Sequence, residues 1–171
     1  MWVEVGQCGE NVSVAHAMAQ NDKIFYVGEF RHSLDAKNRL TVPAKWRFDG
    51  DEGDTSYLAL PNPNGSITVY PPKMIEHLEE KITSVHMLGD PNKVRALTRI
   101  FSRAERFGCD KQGRINLTEK LIKHAGIAKE AVLAGLFTTF HIWSPERFTE
   151  HNGDEEGINP EDSAILSELG L

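Results

Sequence analysis

Apolar and polar residues alternate through Ile67-Thr68-Val69-Tyr70 and again through Phe140-His141-Ile142-Trp143, the period of a strand with one face covered. Each run ends in an aromatic residue followed by a helix-start signal, Pro71-Pro72 in the first case and Ser144-Pro145 in the second. Upstream of the first run, the pattern predicts strands over 28–34 and 56–60 and the start of another at Leu40-Thr41-Val42. Pro61-Asn62-Pro63-Asn64-Gly65 then turns the chain into the strand over 66–70. The period changes to that of a helix over 73–85, where Met74, Ile75, Leu78, Ile82 and Val85 share one face. Gly89-Asp90-Pro91 breaks it, and Val94, Leu97, Ile100 and Phe101 continue with basic residues opposite. A third helix is expected from Ser144 and a fourth over 163–169.

The pattern occurs twice. Shifting the chain by 75 positions lays Asp35 on Asp110, Arg39 on Arg114, Leu40 on Ile115, Val42 on Leu117 and Lys45 on Lys120. Tyr57-Leu58-Ala59 then falls on Val132-Leu133-Ala134, and with a two-residue gap the alternating runs around Thr68 and His141 also coincide. Three matches in one order favour duplication. Each copy predicts strand, turn, strand, short helix and two further strands. The short helices fall at Pro43-Ala44-Lys45-Trp46-Arg47 and over 118–124, where Pro43 suits a first helical turn, Thr118 an N-cap and Gly126 a C-terminal stop. Within the turn, Asn38 and Gly113 share a slot, and these residue types most readily adopt positive φ. Asp35 and Asp110 open it, where a short carboxylate can accept from backbone N–H groups two or more residues on. Four short strands cannot hide both faces of a sheet or its edges, so two copies are expected to complete each other by interleaving hairpins.

Composition changes this picture only through its distribution. The apolar fraction of 40% and charged fraction of 26% are those of a soluble globular chain. There is no apolar run of the ~20 residues that spans a bilayer, no signal peptide at the mixed N-terminus, and no disulfide framework in Cys8 and Cys109. A cytoplasmic protein without membrane association is expected. The net charge of −6 speaks against a polyanion partner until it is divided. From Pro145 onward, eight acids face the single base Arg147, whereas 99–123 holds seven bases against Glu105, Asp110 and Glu119. The stretch over 27–50 is also net basic, with Arg31, Lys37, Arg39, Lys45 and Arg47. Such asymmetry fits a polyanion partner and equally fits solvated surface charge.

Ser33-Leu34-Asp35-Ala36-Lys37-Asn38-Arg39-Leu40-Thr41-Val42-Pro43 and Cys109-Asp110-Lys111-Gln112-Gly113-Arg114-Ile115 resemble the paired D-x-x-x-R signatures of the MraZ family. His124-Ala125-Gly126-Ile127 and Phe140-His141-Ile142-Trp143 are similar to the end of that family's second unit, so the resemblance covers roughly residues 25–151. It implies an α+β, β-rich fold: two tandem AbrB-type swapped-hairpin units forming a pseudo-twofold β-barrel with connecting helices. Residues 25–72 would be the first AbrB-type domain, 73–105 a helical connector, 106–150 the second domain and 151–171 an acidic C-terminal tail. Residues 1–24 lie outside the resemblance, as an extension, disordered or a misassigned start for which Met18 or a later residue is the alternative. Asn38 departs from the glycine usual in the family's first motif, a difference its tolerance of positive φ makes harmless. The implied function is that of a cytoplasmic, nucleoid-associated transcription regulator. It would act as a ring-shaped homo-oligomer on double-stranded DNA, repressing its own division and cell-wall operon through promoter direct repeats.

Arg39 and Arg114 suit phosphate or guanine recognition, because a guanidinium is a planar fork of donors. The alternative is that Asp35 with Arg39, and Asp110 with Arg114, only brace their turns; the two roles are compatible. Arg31, Lys37, Lys45 and Lys111 are candidate phosphate contacts or plain surface bases. Asn38 and Gly113 belong to the turn-bracing set with the two aspartates. The first copy ranks above the second because more bases surround its turn. His32, His124, His141 and Cys109 lack metal-ligand spacing, and Trp46, Trp143 and Phe140 suit a core. No cofactor loop or nucleophile elbow is present, and no partner group stands beside either aspartate for catalysis. A non-enzyme without cofactor or metal follows. A ring-forming scaffold that binds a partner protein is the competing function.

Overall fold

The computed structural model describes residues 24–47, 57–84, 90–153, 157 and 160–170. The N-terminal extension up to residue 23, residues 48–56 with the first residue of the strand expected over 56–60, the last residue of the helix expected over 73–85, and residues 154–156, 158–159 and 171 of the acidic tail lie outside them. Strand β1 (Glu29–Ser33) leads through a turn to β2 (Arg39–Thr41), then to β3 (Tyr57–Pro61) and β4 (Ile67–Tyr70). Helices α1 (Pro72–Ser84) and α2 (Pro91–Phe101) follow, then β5 (Glu105–Phe107), β6 (Arg114–Asn116), α3 (Glu119–Ala125), β7 (Glu130–Leu136), β8 (Thr139–Trp143), α4 (Pro145–Asn152) and α5 (Pro160–Glu168). Three helices begin on side-chain caps. Asp90 accepts from the amides of Asn92 and Lys93, Thr118 from Leu121, and Ser144 from Arg147. The short helix expected around Pro43 is only a 3₁₀ turn, Ala44–Trp46, with Arg47 already extended.

Six strands form one antiparallel sheet in the order β1-β7-β8-β4-β3-β5. Exchanging every strand for the one four places away in the chain returns the same order reversed. Strands β3 and β4 are therefore flanked by β5 and β8, and β7 and β8 by β1 and β4. At the centre Thr68 stands opposite His141, two residues that the sequence shift superposes, and Thr68 Oγ1 lies 3.2 Å from His141 Nε2. Burial and the nearby His151 hold the pKa of His141 below its ordinary value.

The sheet does not close into the expected barrel. Among the described residues it ends at β1 and β5, while β2 and β6 pair with each other as a separate two-stranded ribbon. Each ribbon strand has three residues, and each pairs with the other strand of the ribbon rather than with β1 or β5.

The ribbon sits on the core. Leu40, Val42, Ile115 and Leu117 are buried beneath it, and alternation sends Arg39, Thr41, Arg114 and Asn116 away from that side. Below them Trp46 packs 5.2 Å from Phe140 and 5.5 Å from Tyr26 between ring centres. Trp46, Phe140 and Trp143 are all core residues. Full burial of side chains of this size contributes about 1.5–3 kcal/mol each, so the ribbon and its turns stand on a firm base.

Candidate functional site

The five-residue turns Asp35–Arg39 and Asp110–Arg114 have the same hydrogen-bond plan. In the first, Asp35 N donates to Arg39 O (3.0 Å) and Asn38 N to Asp35 O (3.0 Å). In the second, Asp110 N donates to Arg114 O (2.8 Å) and Gly113 N to Asp110 O (2.7 Å). Asp35 Oδ1 accepts from the amides of Lys37 (2.8 Å) and Arg39 (2.9 Å), and Asp110 Oδ1 from those of Gln112 and Arg114 (2.9 Å each). Both closures need a left-handed residue, and Asn38 (φ 59°) and Gly113 (φ 73°) supply it.

The second carboxylate oxygen holds the arginine. Asp35 Oδ2 lies 2.6 Å from both Arg39 Nε and Nη2; Asp110 Oδ2 lies 2.8 Å from Arg114 Nε and 2.7 Å from Nη2. The side-chain hydrogen bond from Arg39 is the main cause that lowers the Asp35 carboxyl to about 2, and Arg114 does the same for Asp110. Reciprocally, the Asp110 hydrogen bond raises the pKa of Arg114. Each aspartate thereby fixes both the loop and the direction of its guanidinium.

The fold then sets the two turns side by side. Val42 N donates to Gly113 O (2.9 Å) and Leu117 N to Asn38 O (3.0 Å), bonds that exchange the turns across the ribbon. Arg39 Nη1 comes 3.9 Å from Asp110 Oδ2, and Arg114 Nη1 3.8 Å from Asp35 Oδ2. The result is a crossed quartet of two acids and two bases, with the side chains of Arg39 and Arg114 about 30% and 28% exposed. Among the described residues neither Nη1 makes a hydrogen bond, so both keep donors for an outside acceptor.

The remaining candidates fall into two groups. Lys37 and Lys111 are exposed at the two turns and add the positive charge that the neutral quartet lacks. Arg31 and Lys45 are engaged elsewhere. Arg31 Nε pairs with Glu29 at 3.0 Å on β1, and the Lys45 ammonium sits 4.7 Å above the ring of Phe30.

Three contacts escaped sequence reasoning. The guanidinium of Arg47, whose Nε donates to Val42 O at 2.8 Å, lies directly over Gly113, so that a Cβ there would collide with it. The only signal was the difference between Asn38 and Gly113. Gln112 Oε1 accepts from Arg114 Nη2 at 3.1 Å, and Lys37 in the matching slot has no acceptor to offer Arg39. Arg147, the lone base in the acidic segment, donates through Nη1 to His124 O (2.6 Å) and tethers α4 to α3. Among the described residues no group of three or more His, Cys, Asp or Glu side chains could hold a metal ion, and no helix is long and apolar enough to cross a membrane.

Residues 100–164 match the model of a family described as "MraZ protein, putative antitoxin-like". The chain is 34% identical over 147 residues to a protein of Clostridium acetobutylicum named Transcriptional regulator MraZ, with 85% of this chain and 99% of that protein covered. Proteins of the same name from Pediococcus pentosaceus and Lactobacillus gasseri are 37% identical over 147 residues and 36% over 140. These cover 85% and 81% of this chain and 99% and 94% of the relatives.

Proposed function

Because the chain belongs to the MraZ family, we propose that it is a transcriptional regulator that binds double-stranded DNA through the paired turns, with Arg39 and Arg114 as the reading side chains. The observation that carries this reading is the quartet. Two arginines, each aimed by its own aspartate, stand together at the surface with Nη1 donors open. A guanidinium held in this way meets a guanine edge or a phosphate with little further loss of rotamer freedom. Lys37 and Lys111 then serve as phosphate contacts that position without specifying; Arg31 and Lys45 are less available to DNA because each already has a partner.

In this reading 25–72 and 106–150 are two AbrB-type swapped-hairpin units, joined by the 73–105 connector and followed by the acidic 151–171 tail. The reversed strand order supports it. One pair of turns gives modest affinity, whereas a homo-oligomeric ring presenting several pairs to tandem promoter repeats gains avidity without new contacts. The protein would work in the cytoplasm at the nucleoid, as a repressor of its own division and cell-wall operon.

The test is binding of the purified chain to the DNA upstream of its own gene across a salt series. Affinity should fall with a log–log slope of about −0.9 per phosphate contact, and Arg39→Ala should weaken binding roughly tenfold or more while leaving the oligomer intact. Wild-type binding by Arg39→Ala removes the site assignment. No binding by either protein at low salt transfers the function to a protein-interaction scaffold.

A further inference from the structure

Two helices in this chain are open to solvent and opposite in charge. α2 and the residues after it, 91–104, carry Lys93, Arg95, Arg99 and Arg103 with no acid among them. None of the α2 residues is buried, although Val94 and Ile100 are 42% and 47% exposed large apolar side chains. Among the described residues no acid lies within ion-pair distance of Arg95, Arg99 or Arg103. Beside the C-terminal end of α2 runs a cavity of about 470 Å³, walled by Arg99, Ile100 and Arg103 on one side and by Leu60, Pro61 and Pro63 of the β3–β4 hairpin on the other. The surface thus combines apolar side chains with the two bases Arg99 and Arg103.

α5 has the complementary character. It carries Glu161, Asp162 and Glu168 and no base, buries nothing, and exposes Ile165 and the following Leu169 at 57% and 69%. A helix of nine residues is marginal in water without a packing partner. Among the described residues of one copy, Val94 and Ile100 of α2 and Ile165 and Leu169 at α5 stay exposed at the same time.

We propose that α2 of one copy receives the acidic helix α5 of a second copy. The charge order fits an antiparallel pair. Lys93 and Arg99 are six residues apart, about 9 Å along a helix, and Glu161 and Glu168 seven residues, about 10 Å. Glu161 and Asp162 then face Arg99 and Arg103, Glu168 faces Lys93, and Ile165 with Leu169 packs along α2 against the exposed Val94. Such a contact joins two different surfaces, so it repeats from copy to copy and closes only as a ring or runs on as a filament. The inference rests on the homo-oligomer of the proposed function and is independent of where DNA binds.

The experiment is sedimentation equilibrium on the full chain, on Arg103→Glu, on Glu161→Arg and on the two combined, with circular dichroism to verify folding. Each single reversal should raise the concentration for half-dissociation roughly tenfold, and the combined swap should restore it to within about threefold. A wild-type monomer overturns both the inference and the oligomeric half of the proposed function. An oligomer whose mass is unchanged in the single variants overturns the inference alone, as does a combined variant no better than either single. Single reversals that change thermal stability at constant mass place α5 on its own chain and refute the second-copy contact. Loss of DNA affinity in Arg103→Glu at unchanged mass assigns α2 to DNA and refutes it as well.

Discussion

The turn at Asp35 and the turn at Asp110 share their backbone plan and carboxylate–guanidinium pair, but differ in what surrounds the arginine. Arg39 is held by Asp35 and has Lys37 beside it. Arg114 is held by Asp110 and again by Gln112, while the fourth turn residue, Gly113, lies under Arg47. Arg39 keeps one more donor free than Arg114, and the second turn is the more tightly built into the fold. Two copies of one local structure can therefore hold different duties, because the neighbours and not the loop decide how many donors remain free.

The widest gap between the turns should appear on exchanging their left-handed residues. Gly113→Asn pushes the Arg47 guanidinium aside and breaks its bond to Val42 O, and should cost about 1–1.5 kcal/mol in denaturant unfolding, whereas Asn38→Gly should stay within about 0.5 kcal/mol. Equal costs would mean that the Arg47 cover has no energetic consequence. In DNA binding, Arg39→Ala should lose more affinity than Arg114→Ala, roughly 30-fold against about tenfold, measured by fluorescence anisotropy at fixed salt. The reverse ranking would make the second turn the principal reader. Gln112→Lys copies the first turn's base into the second and removes the extra acceptor on Arg114; affinity should rise about two- to threefold, with one more unit of salt dependence.

The smallest difference is expected with pH. Both aspartates titrate at about 2 in the folded chain against an ordinary 3.8. A depressed folded pKa gives stability that is complete above about 3.8, declines as pH falls, and is gone below about 2. Thermal midpoints between pH 5 and 2 should show this acid limb, and Asp35→Asn and Asp110→Asn should flatten it equally. Unequal flattening would show that the quartet is electrostatically lopsided despite its matching distances.

The strands and helices were legible where the signal was local. The alternation around Thr68 and His141, the caps at Thr118 and Ser144, and the stop at Gly126, whose φ is 68°, all act within a few residues. The first short helix was overestimated because Pro43 sets a helical start but Arg47 returns to extended backbone and spends its Nε on Val42 O. The expectation of a closed barrel failed because three-residue strands carry too few positions to state which edge they join, and β2 and β6 pair with each other instead.

What the sequence by itself determined is each turn: Asp, a residue fit for positive φ and Arg lie within five positions, so their hydrogen bonds close without help from the remainder of the chain. Tertiary structure alone decided that Asp35 meets Arg114, that Asp110 meets Arg39, and that Arg47 rests on Gly113. Those partners are far apart along the chain, and only the pairing of β2 with β6 over a shared core brings them within reach.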